Sequence, residues 1–120
     1  SSLPPALFDL LGAGVIMYAG TRSAAMEPDS VIACGLRAER SSNEVTLFIA
    51  VALAGGALAH LRDNGQVAIT ITDPTTNRAM QLKGLWLGER RTTEDDRAFV
   101  EAYREQLAAQ LALVGVPRSI

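Results

Sequence analysis

Apolar and polar residues alternate most cleanly in the stretch from Leu61 to Gly88, and the rest of the chain is organised around it. From Gln66 to Asp73, Val67, Ile69 and Ile71 fall on one side, and Gln66, Ala68, Thr70 and Thr72 on the other. A period of two is that of a half-buried strand. Asp73-Pro74-Thr75-Thr76-Asn77 is turn chemistry, with Pro fixing φ and Asp and Asn bonding nearby backbone. Arg78 to Glu89 alternates again, with Met80, Leu82, Gly84 and Trp86 on one face and Ala79, Gln81, Lys83, Leu85 and Leu87 on the other. The two runs predict a long antiparallel hairpin with one greasy face and one mixed face.

The remaining elements follow from the same pattern. Pro4 and Pro5 suit a helix start, so Ala6 to Leu11 reads as a short helix ended by Gly12 and Gly14. Val15 to Thr21 reads as strand one. Asp29 to Arg37 reads as strand two, with Val31, Ala33, Gly35 and Arg37 opposite Ile32, Cys34 and Leu36. Glu44 to Val51 is rich in β-formers and makes strand three. Ala52 to Asn64 predicts a helix with Gly55-Gly56 in its first part and a C-cap at Asn64-Gly65. Thr92-Thr93-Glu94-Asp95-Asp96 opens a last helix with a Thr cap and acids at the positive dipole end. Phe99, Tyr103, Leu107 and Leu111 recur on it at i+4, beside Val100 and Ala108, as a stripe for the sheet. Gly115 and Pro117 stop it. The order is α-β-β-β-α-β-β-α, and its short connections exclude a doubly wound parallel sheet.

Composition narrows the class. A chain of 120 residues, nearly half of them apolar, can bury one real core. A formal net charge of −2 without a basic stripe argues against nucleic acid. Apolar runs break before about 20 residues, so no membrane span is expected. Leu7 to Met17 has the apolar look of a signal segment but no basic residues ahead of it. The single Cys cannot form an internal disulfide, which makes a reducing cytoplasm the default.

Asn64-Gly65-Gln66-Val67-Ala68-Ile69 before the turn, then Arg78 and Gln81-Leu82-Lys83-Gly84 after it, resemble the pyridoxamine 5′-phosphate oxidase-like flavin-binding split barrels. The resemblance takes in Leu58-Ala59-His60-Leu61-Arg62, strand three and the acid-rich opening of the last helix, roughly Val15 to Gly115. It implies a single domain over residues 1–120, mainly β with flanking helices (α+β): an antiparallel split β-barrel of the FMN-binding type. It also implies a homodimer with FMN at the dimer interface. In the family a further strand follows the C-terminal helix; here five strands are legible before Ile120.

The same resemblance points to site residues. A basic residue near the end of strand two helps hold the flavin phosphate in the family, and Arg37 stands there; the other reading of Arg37 is a solvated strand-end cation. Where the family has a hydroxyl at the end of strand three and a Ser-Arg-Lys-like cluster opening the next helix, this chain has Val51 and Gly55-Gly56-Ala57, without positive side chains. Two glycines at a helix start present bare N–H groups to a phosphate, or form a flexible loop. Gln81 and Lys83 share the mixed face of the hairpin, where they either reach phosphate or ring edge across a dimer seam or lie on an exposed rim. Arg78 reads as a turn-end partner of Asp73. His60, the only histidine, reads as a helix-face residue, and no metal-ligand spacing accompanies it. A Cys34–His60 catalytic pair competes with a buried inert thiol at Cys34. Trp86 packs the core or a dimer contact, or stacks on a flavin. Glu101, Arg104 and Glu105 are helix-surface charge pairs, not a catalytic dyad.

Two functions follow from the resemblance. One is a small FMN-binding oxidoreductase-like dimer whose cofactor carries the chemistry. True pyridoxamine phosphate oxidation is not expected, because the basic residues for the substrate phosphate are absent. The other is a non-catalytic dimer whose flavin site has lapsed or takes deazaflavin or haem, with His60 as the haem ligand.

Overall fold

The computed structural model describes residues 3–50, 52 and 54–115. Eight elements occur in the expected order: α1 (Pro5–Leu11), β1 (Ile16–Arg22), β2 (Pro28–Ala38), β3 (Val45–Ile49), α2 (Ala57–Asn64), β4 (Gln66–Thr72), β5 (Ala79–Leu85) and α3 (Glu94–Leu113). The strands form one antiparallel sheet in the order β3-β2-β1-β4-β5. It curls into a half-barrel, so the fold is mainly β, with three α-helices among the described residues. Among the described residues, no helix is long and apolar enough to cross a membrane.

The concave face holds the core. Met17, Ala33, Ile69 and Ile71 point inward and close on Leu7 and Leu10 of α1, with Val15 and Leu36. Alternation explains the strand contributions: in the β4–β5 register Ile71 opposes Met80 and Ile69 opposes Leu82, so the greasy rows of the hairpin coincide. Its turn closes as its residues predict. Asp73 N–H donates to the Arg78 carbonyl at 2.8 Å, Asn77 takes a left-handed φ of 59°, and the Asp73 carboxylate accepts from Thr75 N–H and hydroxyl. Arg78 therefore meets Asp73 through the backbone, and the carboxylate accepts from Thr75 and from Gln110 Nε2 instead.

Two local expectations need correction. Strict alternation along β2 fails at Cys34, which is bulged out of the ladder between the Ala33–Ile49 and Gly35–Phe48 pairs. Leu36 thereby joins Val31 and Ala33 in the interior. Gly35 is what permits this: a Cβ there would stand 3.3 Å from the Phe48 ring and 3.4 Å from Phe99. The second correction concerns α2, which starts at Ala57 rather than Ala52. Gly55 has a φ of +50°, off the helical path, so the glycine pair leads into the helix instead of forming its first turn. The other end is as expected: Gly65 is left-handed (φ 69°) and its N–H donates to the Leu61 carbonyl at 2.8 Å.

Helix α3 begins with a full capping box. Thr93 Oγ1 accepts from Asp96 N–H at 3.2 Å, and the Asp96 carboxylate accepts from Thr93 N–H at 2.9 Å. Its stripe lies half-buried on the convex side. Phe99 meets Phe48 with ring centroids 5.6 Å apart, and the Tyr103 hydroxyl donates to the Val15 carbonyl.

Candidate functional site

The curled sheet does not close. Its two edge strands, β3 and β5, face one another across a cleft of about 650 Å³. The floor is apolar, built from the inward residues Ala19, Val31, Val67, Ile69 and Leu82. Helix α2 covers one end with Ala57, Leu58 and Leu61, and Trp86, just past β5, walls the other side. Trp86 is anchored by its backbone N–H, which donates to the Gly65 carbonyl at 2.7 Å. The volume and lining suit a single small molecule with an extended apolar body. Leu85 and Leu87, also lining residues, are 73% and 76% exposed and form a greasy lip.

The residues that the sequence nominated for a flavin do not all gather here. Ala57 and Lys83 line the cleft. Gly55 and Gly56 stand at its α2 end, between the lining residues Ala54 and Ala57. Gln81 lies exposed on β5, in register with Thr70 and through it with Tyr18. Val51 falls outside the described residues. Arg37 lies beyond the bulge, on the α3 side of the sheet. Its guanidinium stacks 4.6 Å from the Phe99 centroid and donates to Asp96 Oδ1 at 2.9 Å. That cation is thus committed to the junction of β2 and α3.

Asp96 is the electrostatic centre of that junction. It is 1% exposed and accepts from Arg90 as well as Arg37, with 2.5 Å to Arg90 Nη1. The Arg90 bond, the Thr93 N–H and the Arg37 bond together hold its carboxyl well below the usual carboxylate range, against a smaller opposing effect of burial. Cys34 Sγ donates to the Phe48 carbonyl at 3.3 Å, and burial pushes its thiol up, away from the nucleophilic thiolate. His60 hydrogen-bonds elsewhere, so Cys34 and His60 are not joined by a hydrogen bond. Glu101 and Arg104 form the expected surface pair at 3.6 Å. Among the described residues, no three His, Cys, Asp or Glu side chains are placed to hold a metal ion.

One constellation escaped the sequence. Thr21, at the end of β1, lines the cleft yet is only 6% exposed, and its Oγ1 lies 3.1 Å from His60 Nδ1. Asp29 is its cross-strand neighbour on β2. A Cβ built on Gly56 would stand 2.7 Å from Asp29 Oδ2 and 3.6 Å from His60 Nε2. A side chain at the second glycine would therefore push the Asp29 carboxylate aside, while the imidazole would be left at ordinary contact distance. The only sequence signal was the glycine pair itself, which does not name what approaches it.

No protein-family model, curated protein or solved structure matches the chain. The residues and their geometry therefore carry the functional argument.

Proposed function

We propose that this protein is a flavin-binding domain of the oxidoreductase-like split-barrel class, with the isoalloxazine ring held in the cleft between β3 and β5. The observation that carries this reading is the apolar cleft itself, about 650 Å³ and walled by Trp86, opposite the two edges of a half-barrel. A ring system fits the floor of Ala19, Val31, Val67 and Leu82. The phosphate of FMN would go to the β5 edge of the cleft, where Lys83, with no ion pair among the described residues, alternates with the inward Leu82 and would reach round the edge with its long stem. When bound, the flavin would supply the redox chemistry, and the chain would supply orientation and exclusion of water. A second copy of the chain, seated on the lip formed by Leu85 and Leu87, would give the homodimer that the resemblance implies.

A second reading is favoured by two specific contacts. Arg37 is locked to Asp96, and Asp29 occupies the space over Gly56. Both deprive a phosphate of its expected anchor. On this reading the fold persists as a non-catalytic dimer, or the cleft takes deazaflavin, haem or another apolar ligand.

An absorbance scan before and after addition of FMN and removal of the excess separates the two. The first reading predicts a retained flavin band near one equivalent per chain. A protein that stays colourless contradicts it and leaves the second.

A further inference from the structure

The floor of the cleft is apolar, but its α2 end carries one buried hydroxyl backed by two titratable side chains. We infer that His60 and Asp29 fix the Thr21 hydroxyl as a hydrogen-bond acceptor facing the cleft, and that the cleft therefore selects ligands presenting a neutral N–H or O–H donor at that end. This rests on the cleft being a small-molecule site, as proposed above; the orientation of the hydroxyl is independent of which molecule binds.

A neutral imidazole carries its proton on one ring nitrogen and a lone pair on the other. Nδ1 of His60 lies 3.1 Å from Thr21 Oγ1. Nε2 points to the space over Gly56, into which Asp29 Oδ2 also projects. No hydrogen bond or ion pair joins the two side chains; the carboxylate acts through space, favouring the imidazole proton on Nε2 and leaving Nδ1 as the acceptor. The Thr21 hydroxyl then donates to Nδ1, and its own lone pairs are what remain for the cleft. A ligand that covers this oxygen without donating to it forfeits a hydrogen bond, so it binds less tightly than one that donates. Asp29 also disfavours an anion here, so the charged end of any amphipathic ligand is turned away from it. Gly56 is part of the device, because a side chain there would push the Asp29 carboxylate aside.

His60 is the only histidine in the chain, so its ring nitrogens can be read without assignment ambiguity. The test is ¹⁵N NMR of the imidazole in the full chain at about pH 8, together with titrations of riboflavin and N3-methylriboflavin. The inference predicts the Nε2–H tautomer, a shift of the Nδ1 signal in Thr21→Val, and a weakened tautomer preference in Asp29→Asn. It further predicts that the wild type binds riboflavin about five- to tenfold more tightly than the N3-methyl analogue. In Thr21→Val that preference disappears. An Nδ1–H tautomer overturns the inference, as does equal binding of the two flavins by the wild type. If neither flavin binds while the Nε2–H tautomer and the Thr21→Val shift are found, the oriented acceptor stands and the flavin reading fails.

Discussion

Gly14→Ala is expected to loosen the fold by about 3 kcal/mol, the scale of an overpacked interior site, and to lower the thermal midpoint by on the order of 10 °C. Gly14 lies buried just ahead of β1, where α3 crosses the end of the sheet. A Cβ there would overlap the Gln106 carbonyl group and stand 2.7 Å from Gln110 Cγ. The first obstacle is helix backbone, which cannot rotate away as a side-chain tip can. Relief requires α3 to lift, and that lift would strain the bonds that seat it: Gln106 Nε2 to the Gly12 carbonyl at 2.9 Å, and the Tyr103 hydroxyl to the Val15 carbonyl. Gly84→Ala is the control. Nothing lies within 4 Å of a Cβ at Gly84, and its midpoint should stay close to wild type. Thermal melts followed by circular dichroism check both; a Gly14→Ala protein that melts with the wild type contradicts the close approach.

Asp96→Asn is expected to lower the thermal midpoint by a similar amount and to change how stability depends on pH. The amide keeps a cap acceptor for Thr93 N–H, but it loses the charge that holds Arg37 and Arg90 together. Folding holds the Asp96 carboxyl below its unfolded value, chiefly through Arg90. A group with a depressed folded pKa stabilises the fold above its unfolded pKa, about 4 for Asp, and that contribution is lost as pH falls below it. The arginines stay charged throughout, so the loss follows the carboxylate alone. Wild-type stability should therefore fall as pH drops below about 4, and the Asn variant should show a shallower acid limb from a lower starting point. Denaturant melts across that range measure it. Parallel acid limbs would show that Asp96 is not what couples the fold to pH.

How far the sequence revealed these features depends on the range of the interaction behind each. Element order was legible because its signals are local: alternation in Gln66–Thr72, turn residues at Asp73–Asn77, the Thr93 cap and the Asn64-Gly65 stop. The β2 bulge was not, since Gly35 is needed only because Phe48 and Phe99 converge on it from other elements. Arg37 read as a free strand-end cation because its partner, Asp96, is 59 residues away and looked like one of three dipole acids. Gly55-Gly56 read as an irregular helix start, and Gly55 is indeed off the helical path; that the Asp29 carboxylate stands over Gly56 was not legible, because Asp29 comes from β2. Thr21 carried no signal at all, because a Thr in a strand is ordinary until a histidine 39 residues on turns toward it.

The central claim is that the cleft between β3 and β5 holds the ligand, and a backbone ¹H–¹⁵N NMR titration with FMN tests it most directly. The account predicts saturable shifts concentrated at Ala19, Thr21, Ala57, Val67, Leu82 and the Trp86 indole. Tyr18 and Ile32, exposed on the convex face, should stay in place. Shifts confined to that convex face, or none anywhere, would contradict it.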